Sequence, residues 1–120
     1  MYKVIVAGSR NFNDYQLLVS KLNKILVNRL PDIEIVSGTA KGADSLGEQY
    51  ALEYNLSVKQ FPADWNTHGK KAGYLRNLDM AEYADACIVF WDGESKGAKH
   101  MIDIATKKEL PLRVIKYERL

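Results

Sequence analysis

The sequence predicts an α/β domain of three layers, in which helices cover both faces of a five-stranded parallel sheet. Short apolar runs alternate with segments of helical periodicity along the whole chain, which is the pattern of parallel βαβ units. Two of these runs, at the start of the chain and around position 88, are almost continuously apolar, as expected for strands buried on both faces. The 120 residues are predicted to form one domain, spanning 1–120.

Five apolar runs are predicted as strands because each is short and is bounded by polar or turn-forming residues. They are Tyr2–Ala7, Ile33–Ser37, Ser57–Phe61, Ala86–Trp91 and Leu112–Tyr117. We expect the order 3-2-1-4-5, in which the direction of winding reverses between the first and fourth strands. Ligands of such sheets bind outside the carboxyl ends of the strands at that reversal.

Four helical segments are predicted between these strands. The first begins after a capping residue, Asn13 or Asp14, and carries leucine and isoleucine at helical spacing until Pro31 stops it. The other three are expected at about Gly42–Tyr54, Gly69–Tyr83 and Gly97–Lys108. The connection after the third strand, Phe61–Gly73, shows no regular periodicity, and we expect it to form a loop that acts as a lid or rim.

Three of the strands lead directly into glycine-bearing loops that open a helix, and the predicted strand order makes these three strands neighbours. The loops are Gly8–Arg10, Gly38–Asp44 and Asp92–Gly97. Glycines let the backbone approach a ligand, and the start of a helix supplies N–H groups without intrahelical partners. The loops therefore predict an anion site, although each could instead be a tight turn. Neither a Walker loop nor the dinucleotide fingerprint is present.

The candidate ligand-binding residues come from these loops, the connection after the third strand and the helix that follows it. They are Gly8, Ser9, Arg10, Gly38, Thr39, Ala40, Lys41, Gly42, Asp44, Asp64, Trp65, Arg76, Asn77, Trp91, Asp92, Gly93, Ser95, Lys96 and Gly97. Arg10 has the rigid fork that pairs two phosphate or carboxylate oxygens. Asp44 either contacts a ribose hydroxyl or favours the positive end of its helix. Ser95 either binds ligand or caps a helix, and Trp91 either stacks on a base or fills the core.

Composition narrows the classes of partner. A net charge of +2 without a basic stripe argues against nucleic acid. The single cysteine, Cys87, permits no disulfide and is predicted to be a buried hydrophobe, which fits a reducing compartment. With His68 and His100 as the two histidines, we predict neither a metal site nor a separate cofactor. No apolar run approaches the roughly 18 residues that cross a bilayer and no secretory pattern is present, so we expect a cytoplasmic protein.

Taken together, the motifs resemble the SLOG superfamily, and most closely its small YspA- and YpsA-related branch. The resemblance rests on Gly8-Ser9-Arg10 with Phe12 and Asp14, Ser37-Gly38-x-Ala40-x-Gly42-Ala43-Asp44, Phe61-Pro62-Ala63-Asp64-Trp65, Gly73-x-x-Arg76-Asn77-x-x-Met80, Ala84-Asp85-Ala86 and Trp91-Asp92-Gly93-x-Ser95-x-Gly97. It covers nearly the whole chain. It implies a Rossmann-like fold whose loops bind a nucleotide or a nucleotide-derived ligand such as NAD or ADP-ribose, and it suggests a homodimer or higher homo-oligomer.

The superfamily also includes cytokinin-activating phosphoribohydrolases, and similarity to these enzymes implies a hydrolase as an alternative. Arg76 falls on an arginine that takes part in their reaction, whereas Ala98 and Met101 stand where their threonine and catalytic glutamate would be. Cleavage of an N-glycosidic bond needs a carboxylate, which another acidic residue would have to supply. The candidate catalytic residues are therefore Arg76, Asp64, Asp79 and Asp92.

Three functions remain open from the sequence. The first is a protein that senses or sequesters a nucleotide-derived ligand. The second is a hydrolase that cleaves the bond between a base and its ribose. The third, suggested by the resemblance to the DNA-processing protein DprA, is a module associated with nucleic acid.

Overall fold

The computed structural model describes residues 1–118 and shows one parallel sheet with the strand order β3-β2-β1-β4-β5. The strands are β1 (Tyr2–Gly8), β2 (Ile33–Ser37), β3 (Ser57–Gln60), β4 (Ala86–Trp91) and β5 (Leu112–Lys116). Every pairing between neighbouring strands is parallel. Both the predicted strand order and the parallel α/β architecture are confirmed, and each strand ends within about one residue of its predicted bounds.

Helices cover both faces of this sheet. They are α1 (Tyr15–Ile25), α2 (Ala43–Glu53), α3 (Trp65–His68), α4 (Ala72–Tyr83) and α5 (Lys96–Lys107). The carboxylate of Asp14 caps α1 by accepting a hydrogen bond from the backbone N–H of Leu17 at 3.0 Å, which satisfies one of the donors left free at a helix start. The helix ends at Ile25, and turns lead the chain from there to β2.

The connection between β3 and α4 differs from the predicted loop. Trp65–His68 forms α3, and a 3₁₀ turn over Gly69–Lys71 follows it, so α4 begins later than expected. The carboxylate of Asp64 caps α3 by accepting from the backbone N–H of Thr67 at 3.1 Å. A helix of four residues is too short to show apolar periodicity, and this explains why the sequence pattern missed it.

Two apolar clusters hold the layers together, one on each face of the sheet. On one face, Val4 and Val6 of β1 pack in a buried cluster with Leu18 and Leu22 of α1. On the other face, Ile5 of β1 lies in the cluster that includes the methionines of α4 and α5. Successive residues of a strand point to opposite faces, so a continuously apolar β1 supplies both clusters. Burial of each such side chain stabilises the fold by ~1.5–3 kcal/mol.

Cys87 belongs to the second cluster and is a free, buried thiol, as predicted. Burial raises the pKa of its thiol to about 12, which leaves it protonated at neutral pH. No helix among residues 1–118 is both long enough and apolar enough to cross a membrane.

Candidate functional site

A cleft of about 520 Å³ opens at the carboxyl ends of the strands. It lies where the strand order reverses between β1 and β4, the position at which open α/β sheets bind ligands. Eleven of the residues predicted from the sequence line it: Gly8, Ser9, Arg10, Ala40, Asp44, Trp65, Arg76, Asn77, Asp92, Ser95 and Gly97. The loops after β1, β2 and β4 therefore contribute to one cleft.

The backbone of Ser9 joins these three loops. Its N–H donates to the carbonyl of Phe90 in β4 at 2.9 Å, and its carbonyl accepts from the N–H of Ala43 in α2 at 3.4 Å. Glycines make this approach possible. A Cβ on Gly8 would lie 2.1 Å from the Phe90 carbonyl oxygen, and one on Gly42 would lie 2.3 Å from the Ser9 carbonyl oxygen. Gly42 also has a φ of +79°, a conformation that favours glycine.

The loop after β2 brings an arginine and a carboxylate to the same glycine. Nη1 of Arg76, on α4, donates a hydrogen bond to the carbonyl of Gly38. Asp44, which is 4 % exposed, accepts from the backbone N–H of Ala40 at 3.2 Å. A Cβ on Gly38 would lie 2.6 Å from Arg76 Nη1 and 2.8 Å from Asp44 Oδ2. Only a residue without a side chain leaves room for both groups here.

The carboxyl group of Asp44 titrates close to neutral pH. Burial has the largest influence and raises its pKa from 3.8 to about 6, and the charge of Glu48 acts in the same direction. The hydrogen bond from Ala40 and the charges of Arg76 and Arg10 oppose this increase. A strongly shifted carboxyl group beside an arginine in a cleft is a common feature of functional sites.

Arg76 is also held on a second side by its chain neighbour. Asn77, which is 6 % exposed, accepts through Oδ1 from Arg76 Nε at 3.1 Å. Its Nδ2 donates to the carbonyl of Gly97 at 3.4 Å and lies 3.1 Å from Nδ1 of His100. Burial lowers the pKa of the Arg76 guanidinium while Asp44 raises it, and an arginine remains charged at neutral pH in either case.

The loop after β4 differs from the predicted anion cradle, because a carboxylate of the protein occupies its amides. Oδ1 of Asp92 accepts from the backbone N–H groups of Glu94 at 2.9 Å and Ser95 at 2.8 Å. Oδ2 accepts from the side chain of Asn11 at 3.0 Å. Burial raises the pKa of Asp92, but the hydrogen bonds from Ser95, Glu94, Asn11 and Ser9 outweigh it and hold the pKa well below its usual range. This aspartate is therefore ionised at physiological pH.

The contacts show what two residues of this loop do within the fold. Ser95 is the N-cap of α5, since its Oγ accepts from the backbone N–H of Ala98 at 3.4 Å. Trp91 packs against the buried cluster beneath α5, and its Nε1 donates to the Ser95 carbonyl at 3.1 Å.

Nine predicted site residues lie outside the lining of the cleft, some of them in the loops that shape it. They are Gly38, Thr39, Lys41, Gly42, Asp64, Asp79, Trp91, Gly93 and Lys96. Of the three carboxylates predicted as possible catalytic bases, only Asp92 reaches the cleft. Asp64 caps α3 instead, and Asp79 lies further along α4.

Other lining residues were not predicted as site residues: Ala7, Asn11, Lys70, Gly73, Tyr74, Met80, Glu94, Ala98 and Met101. Lys70 and Tyr74 reach the cleft because the 3₁₀ turn and the first turn of α4 lie at its mouth. The side chains of Trp65 and Tyr74 are 51 % and 44 % exposed, and the Tyr74 ring lies 4.4 Å from that of His100. The position of Tyr74 three residues before Asn77, and so on the same side of α4, was the sequence signal available for it.

Among the described residues, no group of three or more His, Cys, Asp or Glu side chains is arranged to hold a metal ion. The cleft lining itself offers arginine, lysine, carboxyl, amide and hydroxyl groups together with two aromatic rings.

The fold and the position of its cleft define a Rossmann-like α/β protein. The model of the YspA, cpYpsA-related SLOG family, YAcAr, matches residues 2–68, and the chain belongs to this family. It is also similar to the Gene 61 protein of Mycobacterium phage D29, with 34% identity over 118 residues that cover 93% of this chain and 94% of the phage protein. The family resemblance expected from the motifs is thus confirmed.

Solved structures show the same fold at low sequence identity. DNA processing protein A (DprA) from Streptococcus pneumoniae gives a TM-score of 0.76 at 20% identity, over 100% of this chain and 52% of that chain. DprA from Helicobacter pylori, solved for its single-stranded DNA binding mode, gives a TM-score of 0.71 at 22% identity, over 99% of this chain and 66% of that chain. TM1055, a structural genomics target, gives a TM-score of 0.69 at 19% identity, over 93% of this chain and 72% of that chain. The chain thus spans half to two thirds of the DprA chains.

Proposed function

We propose that the protein binds a nucleotide or nucleotide-derived ligand in this cleft, as a sensor or sequestering protein. The supporting observation is that two arginines and two solvent-facing aromatic rings line one cleft at the strand reversal. Arg10 and Arg76 have the planar fork that holds phosphate oxygens in pairs. Trp65 and Tyr74 offer exposed ring faces on which a base can stack. The volume of about 520 Å³ lies in the range of small-molecule sites.

The charges around the cleft indicate where a phosphate would bind. Arg10, Arg76 and Lys70 carry positive charge, and Asp44 brings one carboxyl group beside Arg76, whereas Asp92 and Glu94 bring two carboxylates from the loop after β4. A phosphate at the loop after β4 would meet both of these carboxylates, and two amides of that loop already donate to Asp92. We therefore assign the phosphate to the side formed by β1, the loop after β2 and α4.

We favour a ligand related to NAD or ADP-ribose, since it would combine a pyrophosphate for the arginines with a base for the rings. Calorimetry should compare ADP-ribose, NAD and AMP with adenosine, which lacks phosphate. We expect ADP-ribose to bind and adenosine to bind at least roughly tenfold more weakly, as expected when charge-assisted hydrogen bonds are lost. Folded protein that gives no heat with any of the phosphate-bearing compounds would contradict the proposal.

Variants locate the binding within the cleft. Arg10→Gln removes an exposed cation of the lining, and Arg113→Gln is its matched control on the exposed part of β5. Trp65→Ala removes an exposed ring, whereas Trp65→Phe keeps a stacking surface. We expect Arg10→Gln and Trp65→Ala to weaken ADP-ribose binding, and Arg113→Gln and Trp65→Phe to bind nearly as the wild type does.

A second candidate function, hydrolysis of an N-glycosidic bond, is favoured by Asp44. Its carboxyl group lines the cleft and has a pKa of about 6, which suits proton transfer near neutral pH. Asp92 is a weak proton acceptor, because its hydrogen bonds hold its pKa low. In the reaction, water would add to the anomeric carbon of the ribose as the bond to the base breaks. Adenine would leave AMP after gaining a proton, whereas nicotinamide would leave NAD as a neutral molecule and a proton of the water would be released.

Chromatography separates this candidate from binding alone. The protein would be incubated with AMP and with NAD, and release of adenine or nicotinamide would be measured. A hydrolase that uses Asp44 would lose this release in Asp44→Asn and keep it in Asp79→Asn, since Asp79 lies outside the cleft lining. Wild-type protein that binds these compounds and releases no base would support binding alone.

The likeness to DprA weakens the expectation, drawn from the nearly balanced charge, that nucleic acid is not a partner. It is a likeness of fold alone, so a single-stranded oligonucleotide enters the calorimetry as a competitor of ADP-ribose. Competition that falls steeply with added salt would favour nucleic acid as the partner.

The homodimer suggested by the family resemblance remains a prediction, which sedimentation of the purified chain would test.

A further inference from the structure

Three side chains form a series of contacts from the cleft to a histidine of α5. Arg76 lines the cleft, Asn77 follows it on α4, and His100 is on α5. Arg76 donates through Nε to Asn77 Oδ1 at 3.1 Å, and Asn77 Nδ2 lies 3.1 Å from His100 Nδ1. Asn77 Nδ2 also donates to the carbonyl of Gly97 at 3.4 Å, so both ends of this buried amide are engaged.

The chemistry of these groups fixes the direction of every hydrogen bond. An arginine has donors only, so the oxygen of Asn77 must face Arg76. The amide nitrogen of Asn77 must then face His100, and an NH₂ group can only donate. His100 Nδ1 therefore accepts, and the proton of the neutral imidazole lies on Nε2. Burial lowers the pKa of His100 against the opposing charge of Asp103, which favours this neutral ring.

We propose that Asn77 and His100 are positioning residues that fix the Arg76 guanidinium for binding of an anionic group in the cleft. This proposal rests on the proposed function. Two of the five N–H groups of a guanidinium are committed within the protein, Nε to Asn77 and one on Nη1 to Gly38. These two contacts approach from different elements, α4 and the loop after β2, and together they define the plane of the guanidinium. Holding a binding group in advance reduces the entropy lost when a ligand binds.

Substitution of His100 tests the proposal, because its packing against Tyr74 and its hydrogen bond with Asn77 can be removed separately. His100→Phe keeps a ring against Tyr74, which lies 4.4 Å from the His100 ring, and removes the acceptor. His100→Asn removes the ring and keeps an amide oxygen close to the position of Nδ1. A role in packing alone predicts that Phe is the better replacement, and a positioning role predicts that Asn is.

The first measurement is independent of any ligand. Nitrogen-15 NMR at pH 7.5 should show His100 as the Nε2–H tautomer, and the Nε–H signal of Arg76 should be protected from exchange with solvent. We expect this protection to fall roughly tenfold in His100→Phe and to be largely retained in His100→Asn. Protonation at Nδ1, or equal protection of the Arg76 signal in both variants, would overturn the proposal.

The second measurement is affinity for ADP-ribose, with circular dichroism to confirm that each variant is folded. We expect a loss of roughly three- to tenfold in His100→Phe and near wild-type affinity in His100→Asn. Arg10→Gln is the comparison that separates the two proposals, since it should weaken binding without changing the Arg76 Nε–H signal. If the wild type binds none of ADP-ribose, NAD and AMP, the proposed function fails, and the NMR result alone decides whether Asn77 and His100 fix Arg76.

Discussion

The loops after β2 and β4 share a sequence signature but differ in what they offer a ligand. Each follows a buried strand, contains glycine and an aspartate, and opens a helix. In the loop after β4, Asp92 accepts hydrogen bonds from two backbone amides and an asparagine. In the region after β2, Asp44 accepts from one amide, is 4 % exposed and lies beside Arg76.

The difference lies in the two aspartates and not in free amides, because the N–H groups of Thr39, Ala40 and Ala43 after β2 also donate to acceptors of the protein. The two aspartates have opposite pKa shifts because the balance of burial and hydrogen bonding differs. Burial dominates at Asp44 and raises its pKa to about 6. At Asp92 burial also raises the pKa, but the hydrogen bonds outweigh it and the net change is downward. After β4, an ionised aspartate thus accepts from the amides of its own loop. After β2, a carboxyl group with a pKa of about 6 lines the cleft.

The largest expected effect compares a glycine from each loop. Gly42 and Gly93 have φ values of +79° and +86°. A Cβ on Gly42 would meet the backbone oxygens of Ser9 and Arg10 at 2.3 and 2.6 Å, whereas one on Gly93 would meet only the flexible end of Lys116, at 2.9 Å. We expect Gly42→Ala to lower the free energy of unfolding by about 3 kcal/mol or more and Gly93→Ala by about 1 kcal/mol.

Urea denaturation measures both glycine variants. Gly97→Ala is the control, since nothing lies within 4 Å of its Cβ position and it is in the first turn of α5. Equal losses in Gly42→Ala and Gly93→Ala would show that the two loops are equally constrained.

The next effect concerns Asp44 and pH. Its folded pKa is raised from 3.8 to about 6, so the folded state binds the proton more tightly than the unfolded state does. Stability should therefore fall as pH rises from about 4 through 6, by roughly 2–3 kcal/mol. Asp44→Asn keeps an acceptor for Ala40 and removes the titration.

Thermal unfolding between pH 4 and pH 8 tests this expectation. We expect Asp44→Asn to be more stable than the wild type at pH 8, with the difference vanishing near pH 4. A variant that is less stable than the wild type at pH 8 would mean that the ionised carboxylate stabilises the fold, and the contrast with Asp92 would be lost.

Asp92→Asn should lower the stability of the protein, whereas Asp44→Asn should raise it, and the change should be smaller. The amide keeps one oxygen for the amides of Glu94 and Ser95 but loses the second acceptor, on which Asn11 depends. We expect a loss of about 1–2 kcal/mol at pH 7. Because the folded pKa of Asp92 is lowered, its stabilisation is complete above pH 4 and is lost in more acidic solution. Acid titration followed by fluorescence should show a smaller loss of stability in the variant than in the wild type.

The smallest effect is expected at the cap of α5. Ser95→Ala removes the oxygen that accepts from the N–H of Ala98, at a cost of about 1 kcal/mol. Ser95→Asp should restore the cap and stability in urea denaturation. An alanine variant as stable as the wild type would show that Asp92 alone holds this loop.

Apolar patterning was sufficient to predict the buried parallel strands, and the strand order expected of such a sheet then predicted that the three loops meet. The sequence was not sufficient to predict that the amides of the loop after β4 donate to Asp92. The pattern of Asp92 and Gly93 fits both an anion cradle and a turn closed by its own aspartate, and the choice depends on where the following amides point.

The wall of the cleft was harder to predict for a different reason. Trp65 was predicted, but Lys70, in the 3₁₀ turn, and Tyr74, in the first turn of α4, were not. A helix was expected there, but its pattern did not show which residues would face the cleft. The role of Asn77 was also hidden, since its partner His100 lies on another helix and is 23 residues away in the chain. Contacts of this kind depend on how α4 packs against α5, which local patterns do not encode.

The segment from Trp65 to Lys71 contains no buried side chain, in contrast to the tightly packed glycines around Ser9. Substitutions there disturb no core contact, so this wall can change its shape and charge while the scaffold stays intact. For the ligand proposed above, substitutions in this segment would change the contacts with the base and leave in place the arginines proposed to bind the phosphate.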